Sequence, residues 1–164
     1  MTDSAQHSAD IVVIGAGMVG AAAALGLAQK GFSVILVEAR QPEDNFNPDI
    51  IDNRVSALTR ASEKLLDSMN VWSAMQSMRV KPYTDMRVWD AEGRGEIHFD
   101  AAELAEPSLG HIVENQVTQI ALWHAIRQMN NIELVCPCLL YTSPSPRDRS
   151  AYLVCRLLLE KGGG

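Results

Sequence analysis

One stretch near the start of the chain limits the possible folds more than any other. Asp10 to Ile14 reads DIVVI, an apolar and β-branched run that passes directly into Gly15-Ala16-Gly17-Met18-Val19-Gly20. A short run of this kind is how a buried parallel strand reads. Ala21 to Lys30 is alanine-rich and predicts a helix, with Gly31 where a C-terminal glycine belongs. Ser33 to Val37 predicts a second strand that closes at Glu38. Strand, helix and strand in so short a span make a βαβ unit, so the fold class is α/β with a Rossmann-like parallel sheet.

The glycine motif has a mechanism only in that setting, because glycine-rich turns by themselves are common. Gly15 permits the tight turn, and Gly17 lets the backbone approach a pyrophosphate with no Cβ in the way. Gly20 allows the helix to lie close to the first strand. A pyrophosphate at this helix start meets free N–H groups and the positive end of the dipole. Glu38 stands where a carboxylate accepts hydrogen bonds from the ribose hydroxyls of an adenosine, and its charge disfavours a 2′-phosphate. The bland reading of Glu38 is a solvated carboxylate at a strand end. Together the four features point to dinucleotide binding. NAD and FAD sites share them, so the motif does not separate the two.

Composition removes other classes. Of the 164 residues 47% are hydrophobic and 21% charged, as in globular proteins. No apolar run approaches the roughly 20 residues of a spanning helix, and MTDSAQHSAD has no signal-peptide pattern; a cytoplasmic address is the default. The net charge is −6 with basic residues scattered, which argues against nucleic acid as a partner. Cys136, Cys138 and Cys155 lack the spacing of a metal knuckle or redox pair, so no metal site is expected.

Further along, Gln41 to Asn53 reads as a loop. Thr59 is a plausible helix N-cap, with Ala61, Leu65, Leu66 and Met69 on one face of the helix that follows. Val71 to Met78 predicts a further short helix. Met86 to Asp90 and Glu96 to Asp100 predict a small β-hairpin insertion joined by AEGRG. Glu114 to Met129 predicts a longer helix whose inner side is Val117, Ile120, Ala121, Ala125 and Met129. Ile132 to Val135 predicts another strand.

At Asp52-Asn53-Arg54-Val55-Ser56-Ala57-Leu58 the sequence resembles the ubiquinone-biosynthesis FAD-dependent hydroxylases, within the para-hydroxybenzoate hydroxylase-like flavin monooxygenases. The similarity continues through ASEKLL, Met86-Arg87-Val88-Trp89-Asp90, Phe99-Asp100, Leu109-Gly110-His111-Ile112-Val113-Glu114-Asn115 and Ala121-Leu122-Trp123. It runs over about residues 8 to 137 and is far more specific than the glycines. The resemblance implies FAD as cofactor, its ADP half held by Gly15, Gly17, Gly20 and Glu38. It places Arg54 near the flavin side and the pyrophosphate, where a bidentate cation suits a diphosphate. The bland alternative for Arg54 is an ion pair with Asp52 or Glu63. Asn115 falls where the wider class has a glutamine or arginine near the cofactor, and helix N-capping is an equally good account. The implied reaction hydroxylates a prenylated phenol or quinol with O2, NAD(P)H supplying electrons. The flavin carries the hard step, so no catalytic residue is assigned. His111 and His124 read as structural. The resemblance also implies a ubiquinone-biosynthesis complex and a peripheral place at the inner membrane. DMRVWDAEGRGEIHFD and LGHIVEN are similar to the branch acting on the prenylphenol, MRVKPY and FDAAEL to the branch acting on the demethoxyquinol.

Composition changes after Cys138. Residues 1–137 read as the N-terminal portion of the FAD-binding domain, incomplete at its C-terminus. Residues 138–164 read either as a linker with a short helix or as foreign sequence joined to a truncated gene, YTSPSPRD resembling a translated adapter. That tail is expected to add no ordered part to the fold, and the fragment is expected to be inactive alone. Two other functional classes fit the glycines and Glu38: an NAD-dependent dehydrogenase domain and a non-catalytic dinucleotide-binding domain. Both leave DNRVSAL and LGHIVEN unexplained.

Overall fold

A computed structural model describes residues 8–42, 44–91, 93–137 and 157–158. The chain divides into two compact units, residues 1–43 with 122–164, and residues 44–121.

In the first unit β1 (Ile11–Ile14) leads into α1 (Met18–Gln29), which returns the chain to β2 (Val34–Val37). β2 pairs in parallel with β1, Ile11 opposite Val34 through Ile14 opposite Val37. Its other side pairs in parallel with β8 (Ile132–Val135), Val34 opposite Ile132 through Val37 opposite Val135. β2 is thus a central strand, and all four of its residues are buried, which is why it reads as an unbroken apolar run. The helix ends as the sequence predicts. Gly31 N–H donates to Ala28 O at 2.9 Å and Phe32 N–H to Leu27 O at 3.3 Å, the two bonds of a Schellman cap. The Asn131 side-chain amide then ties the cap to β8 by donating to Ala28 O and Phe32 O, each at 2.8 Å.

Of the stretch 138–164, only Leu157–Leu158 is described. It forms β9, antiparallel to β1, with Leu158 opposite Val12 and Leu157 opposite Val13. At these two residues the chain departs from the expectation of a tail with no place in the fold. The other residues of that stretch, Cys138 and Cys155 among them, lie outside the described residues.

The second unit holds two antiparallel sheets. β3 (Val55–Thr59), β7 (Gly110–Glu114) and β4 (Val80–Tyr83) form one sheet in the order β3-β7-β4. None of these strands is anticipated by the sequence reading. α2 (Arg60–Ser68) and α3 (Trp72–Met78) lie between β3 and β4 in the chain. Thr59 caps α2 as expected, its Oγ1 accepting from Ser62 N–H at 3.3 Å. The expected inner face of α2 is corrected in part: Leu66 and Met69 are buried, whereas Ala61 and Leu65 are exposed. On a helix this short the stripe rotates towards the side shared with Val71 and Met75, which are buried beside it in sequence.

β5 (Asp85–Trp89) and β6 (Glu96–Asp100) form the expected hairpin. Met86 faces Phe99 and Val88 faces Ile97 across it, so one side of the ribbon is wholly apolar. All four side chains remain exposed, from 42% to 57%. α4 (Asn115–Arg127) follows β7 and buries Val117, Ile120, Ala121, Leu122, Trp123 and Ile126. Ala125 and Met129, expected on the inner side, are half-buried. No helix among the described residues is long and apolar enough to cross a membrane.

Candidate functional site

The glycine turn is fixed by its neighbours at three points. Gly15 has φ of +93°, a conformation open to glycine and strained for other residues, and its N–H donates to Val37 O at 2.8 Å. A Cβ on Gly20 would stand 1.9 Å from Gly15 O, so the helix packs against the turn at a distance that excludes any side chain there. The third point is not visible in the glycine motif. The buried indole of Trp123 on α4 donates to Ala16 O at 3.0 Å, in keeping with the rule that a buried indole N–H finds an acceptor. That contact had one sequence signal, a tryptophan on an otherwise apolar helix face.

Gly17 differs from its two partners. It adopts ordinary extended backbone as the N-cap of α1, and a Cβ built on it meets nothing within 4 Å. The space beside it is open. The first turn of α1 has no capping side chain and no acidic residue. A helix start with uncovered N–H groups favours an anion.

Glu38 lies one residue past β2, beside this turn. Its Oε2 accepts from Ala16 N–H at 2.6 Å, and Oε1 accepts from Ala39 N–H at 2.7 Å and Arg40 N–H at 3.2 Å. The structure therefore brings Gly15, Gly17, Gly20 and Glu38 together at the carboxyl end of the parallel strands, where open α/β sheets bind ligands. A carboxylate has about four acceptor positions, so the three amides leave Glu38 capacity for a hydroxyl. These residues fit a dinucleotide: an uncapped helix start for the diphosphate, room over Gly17, and an acceptor for the sugar.

Arg54 and Asn115 belong to the 44–121 unit and are joined there. Asn115 N–H donates to Arg54 O at 2.9 Å, continuing the β3–β7 pairing. Arg54 Nη2 lies 3.2 Å from Asp52 Oδ2, and its backbone N–H donates to Asp52 Oδ1 at 3.0 Å. The Arg54 side chain is 78% exposed. The Arg54 N–H, and after it the Arg54 guanidinium, hold the Asp52 carboxyl below the ordinary carboxylate range. Glu63 does not serve Arg54; it pairs with Arg60 and lies 3.2 Å from His111 Nδ1. Asn115 is the first residue of α4, one past the cap position. Its side-chain oxygen accepts from Ser56 Oγ at 2.6 Å, so it bridges β3 to the helix start and does not cap it.

His111 is nearly buried and packs edge-on against Trp72 with ring centroids 5.0 Å apart, and His124 is exposed on α4. Among the described residues, no group of three or more His, Cys, Asp or Glu side chains is arranged to hold a metal.

Known proteins resemble this chain in sequence and in fold. The family model described as FAD dependent oxidoreductase matches residues 10–45, from β1 through the loop after Glu38. The chain is 44% identical over 128 residues to 3-demethoxyubiquinol 3-hydroxylase of Escherichia coli (strain K12), covering 78% of this chain and 32% of that protein. It is 39% identical over 128 residues to the mitochondrial ubiquinone biosynthesis monooxygenase COQ6 of Xenopus tropicalis, covering 74% of this chain and 27% of that one. Both matches are long enough to include DNRVSAL and LGHIVEN, which carry the resemblance in the sequence. The chain spans about a third, or less, of the length of these relatives. Among solved structures, pqsL of Pseudomonas aeruginosa, described as a probable FAD-dependent monooxygenase, superposes with a TM-score of 0.59 at 15% identity. That match covers 77% of this chain and 32% of pqsL, and it is a likeness of fold alone.

Proposed function

We propose that the chain is the N-terminal FAD-binding part of a flavin-dependent aromatic-ring hydroxylase of ubiquinone biosynthesis, residues 1–137 forming that part. The observation that carries the proposal is the meeting of Glu38 with the glycine turn, in a chain 44% identical over 128 residues to a 3-demethoxyubiquinol 3-hydroxylase. In this reading the N–H groups at the start of α1 bind the pyrophosphate. Gly17 leaves room for it, and the Glu38 carboxylate accepts from the adenosine ribose. Arg54, with an exposed guanidinium, donates to the pyrophosphate or the flavin side of the cofactor, and Asn115 orients it. Bound FAD supplies the redox and oxygen chemistry; the chain's residues bind it, orient it and fix the loops beside it. No acid, base or nucleophile is assigned.

The substrate is a prenylated phenol or quinol, with O2 as co-substrate and NAD(P)H as electron donor. Identity to the Escherichia coli enzyme favours the demethoxyquinol over the prenylphenol. Association with other ubiquinone-biosynthesis proteins, at the inner membrane surface, belongs to the same reading. The test is purification of the full-length parent. It is expected to carry stoichiometric FAD and to consume O2 and NAD(P)H when given the quinol. A colourless protein that binds NAD tightly would sink the proposal in favour of a dehydrogenase.

A further inference from the structure

A charge pair with no part in the proposed cofactor contacts sits inside the 44–121 unit. Glu114, the last residue of β7, is 5% exposed, and its Oε1 lies 2.6 Å from Arg79 Nη1. Burying the Glu114 carboxylate, and the Arg79 guanidinium in part, is unfavourable unless the remaining donors and acceptors are also met. Here they are met by one loop. Arg79 Nη1 also donates to Ile50 O at 3.1 Å, and Nη2 donates to Pro48 O. The guanidinium carbon lies 5.2 Å from the Phe46 ring centroid. Glu114 Oε2 accepts from Asp52 N–H at 2.9 Å. The contacts fall on Phe46, Pro48, Ile50 and Asp52, every second residue of a segment with no strand partner of its own. Asp52 in turn binds the backbone and side chain of Arg54.

We propose that Arg79 and Glu114 are a positioning pair: they set the course of residues 46–54 and so place Arg54 for the cofactor. The cofactor half of this statement rests on the FAD reading above; the loop half does not. A planar fork reaches two carbonyls and a carboxylate at once, which an ammonium does not match.

The test uses Arg79→Lys and Glu114→Gln, with two readouts. Hydrogen exchange on the 164-residue chain without cofactor is expected to quicken on the order of tenfold within residues 46–54 in Arg79→Lys, with β3, β4 and β7 unchanged. Glu114→Gln keeps an acceptor for Asp52 N–H and is expected to quicken it less. In the full-length parent, Arg79→Lys is expected to raise the Kd for FAD by roughly tenfold while leaving the melting temperature close to wild type. Unchanged exchange in the loop, or equal quickening throughout the unit, overturns the pair as a loop clamp. A loosened loop with unaltered FAD affinity overturns its link to Arg54. If the wild-type parent binds no FAD yet the loop responds, the FAD reading and the cofactor role both fall, and the clamp stands.

Discussion

Gly17 and Gly20 sit three residues apart in one motif, yet their surroundings give them opposite tests. Gly20→Ala forces a Cβ against the Gly15 carbonyl oxygen, which is backbone and yields at a cost, about 1–3 kcal/mol by analogy with overpacked cores. It is expected to lower the melting temperature with or without cofactor. Gly17→Val meets no protein atom within 4 Å. The apo fold should therefore melt as wild type while FAD no longer co-purifies with the parent; a yellow, stoichiometric Gly17→Val protein places the diphosphate elsewhere. Glu38→Ala removes an acceptor from both the turn and the ribose. Losing one hydrogen bond to a charged group costs about 1.5–3 kcal/mol, roughly a tenfold to hundredfold rise in Kd. Glu38→Gln, which keeps an acceptor oxygen, is expected to fall between; equal affinity for wild type and Glu38→Ala would remove Glu38 from the site. That the glycine turn and Glu38 meet was readable in advance, because strand, helix and strand follow one another directly in the chain. The acceptor of Trp123 was not, since Ala16 lies 107 residues away in sequence.

Elements differ in the same way. β1, α1 and β2 carry their own signals of β-branched runs, alanines and a terminal glycine, and the structure has them within a few residues of the expected bounds. β3, β4 and β7 carry none that compete with neighbouring patterns. VSALT runs straight into a helix cap, VKPY contains Pro82, and GHIVE opens a helix. What makes them strands is mutual pairing, Val55 to Glu114 and Val80 to Val113. Pro82 is tolerable because β4 lies at the edge of its sheet. The Arg79–Glu114 pair was hidden for the same reason, being two charges 35 residues apart. The turn at Asp52–Arg54 offers a pH test. Because the Asp52 carboxyl titrates below its unfolded range, its contribution is complete above the ordinary carboxylate pKa and is lost as pH falls through the depressed value. The Arg54 amide resonance is expected to hold its position down through the ordinary carboxylate range and to move only below it. A shift centred at the ordinary value would mean that the turn is not formed in solution.

For the whole molecule, the division into units could not be read from the sequence because the first unit is discontinuous. Patterns along a chain mark where elements begin, and they do not say that β2 takes its second partner from Ile132–Val135. That topology carries a consequence in time. Val34 N–H is bonded to Asn131 O at 2.9 Å and Glu38 N–H to Val135 O at 3.0 Å, so these two amides wait for residues made long after their own. A ribosome delivers β1, α1 and β2 first, then the whole of 44–121, and only afterwards the strand that covers the far side of β2. Closing so long a loop is slow relative to a helical turn, and parallel pairing across it falls late on the folding path. In refolding followed by pulsed hydrogen exchange, the Met69 and Val71 amides, bonded within their own turn to Leu65 O and Leu66 O, are expected to be protected before Val34 and Glu38. Protection of all four in one phase would refute that order. Until then the apolar flank of β2 stands bare in a nascent polypeptide, which makes this interval the one in which a chaperone has something to hold.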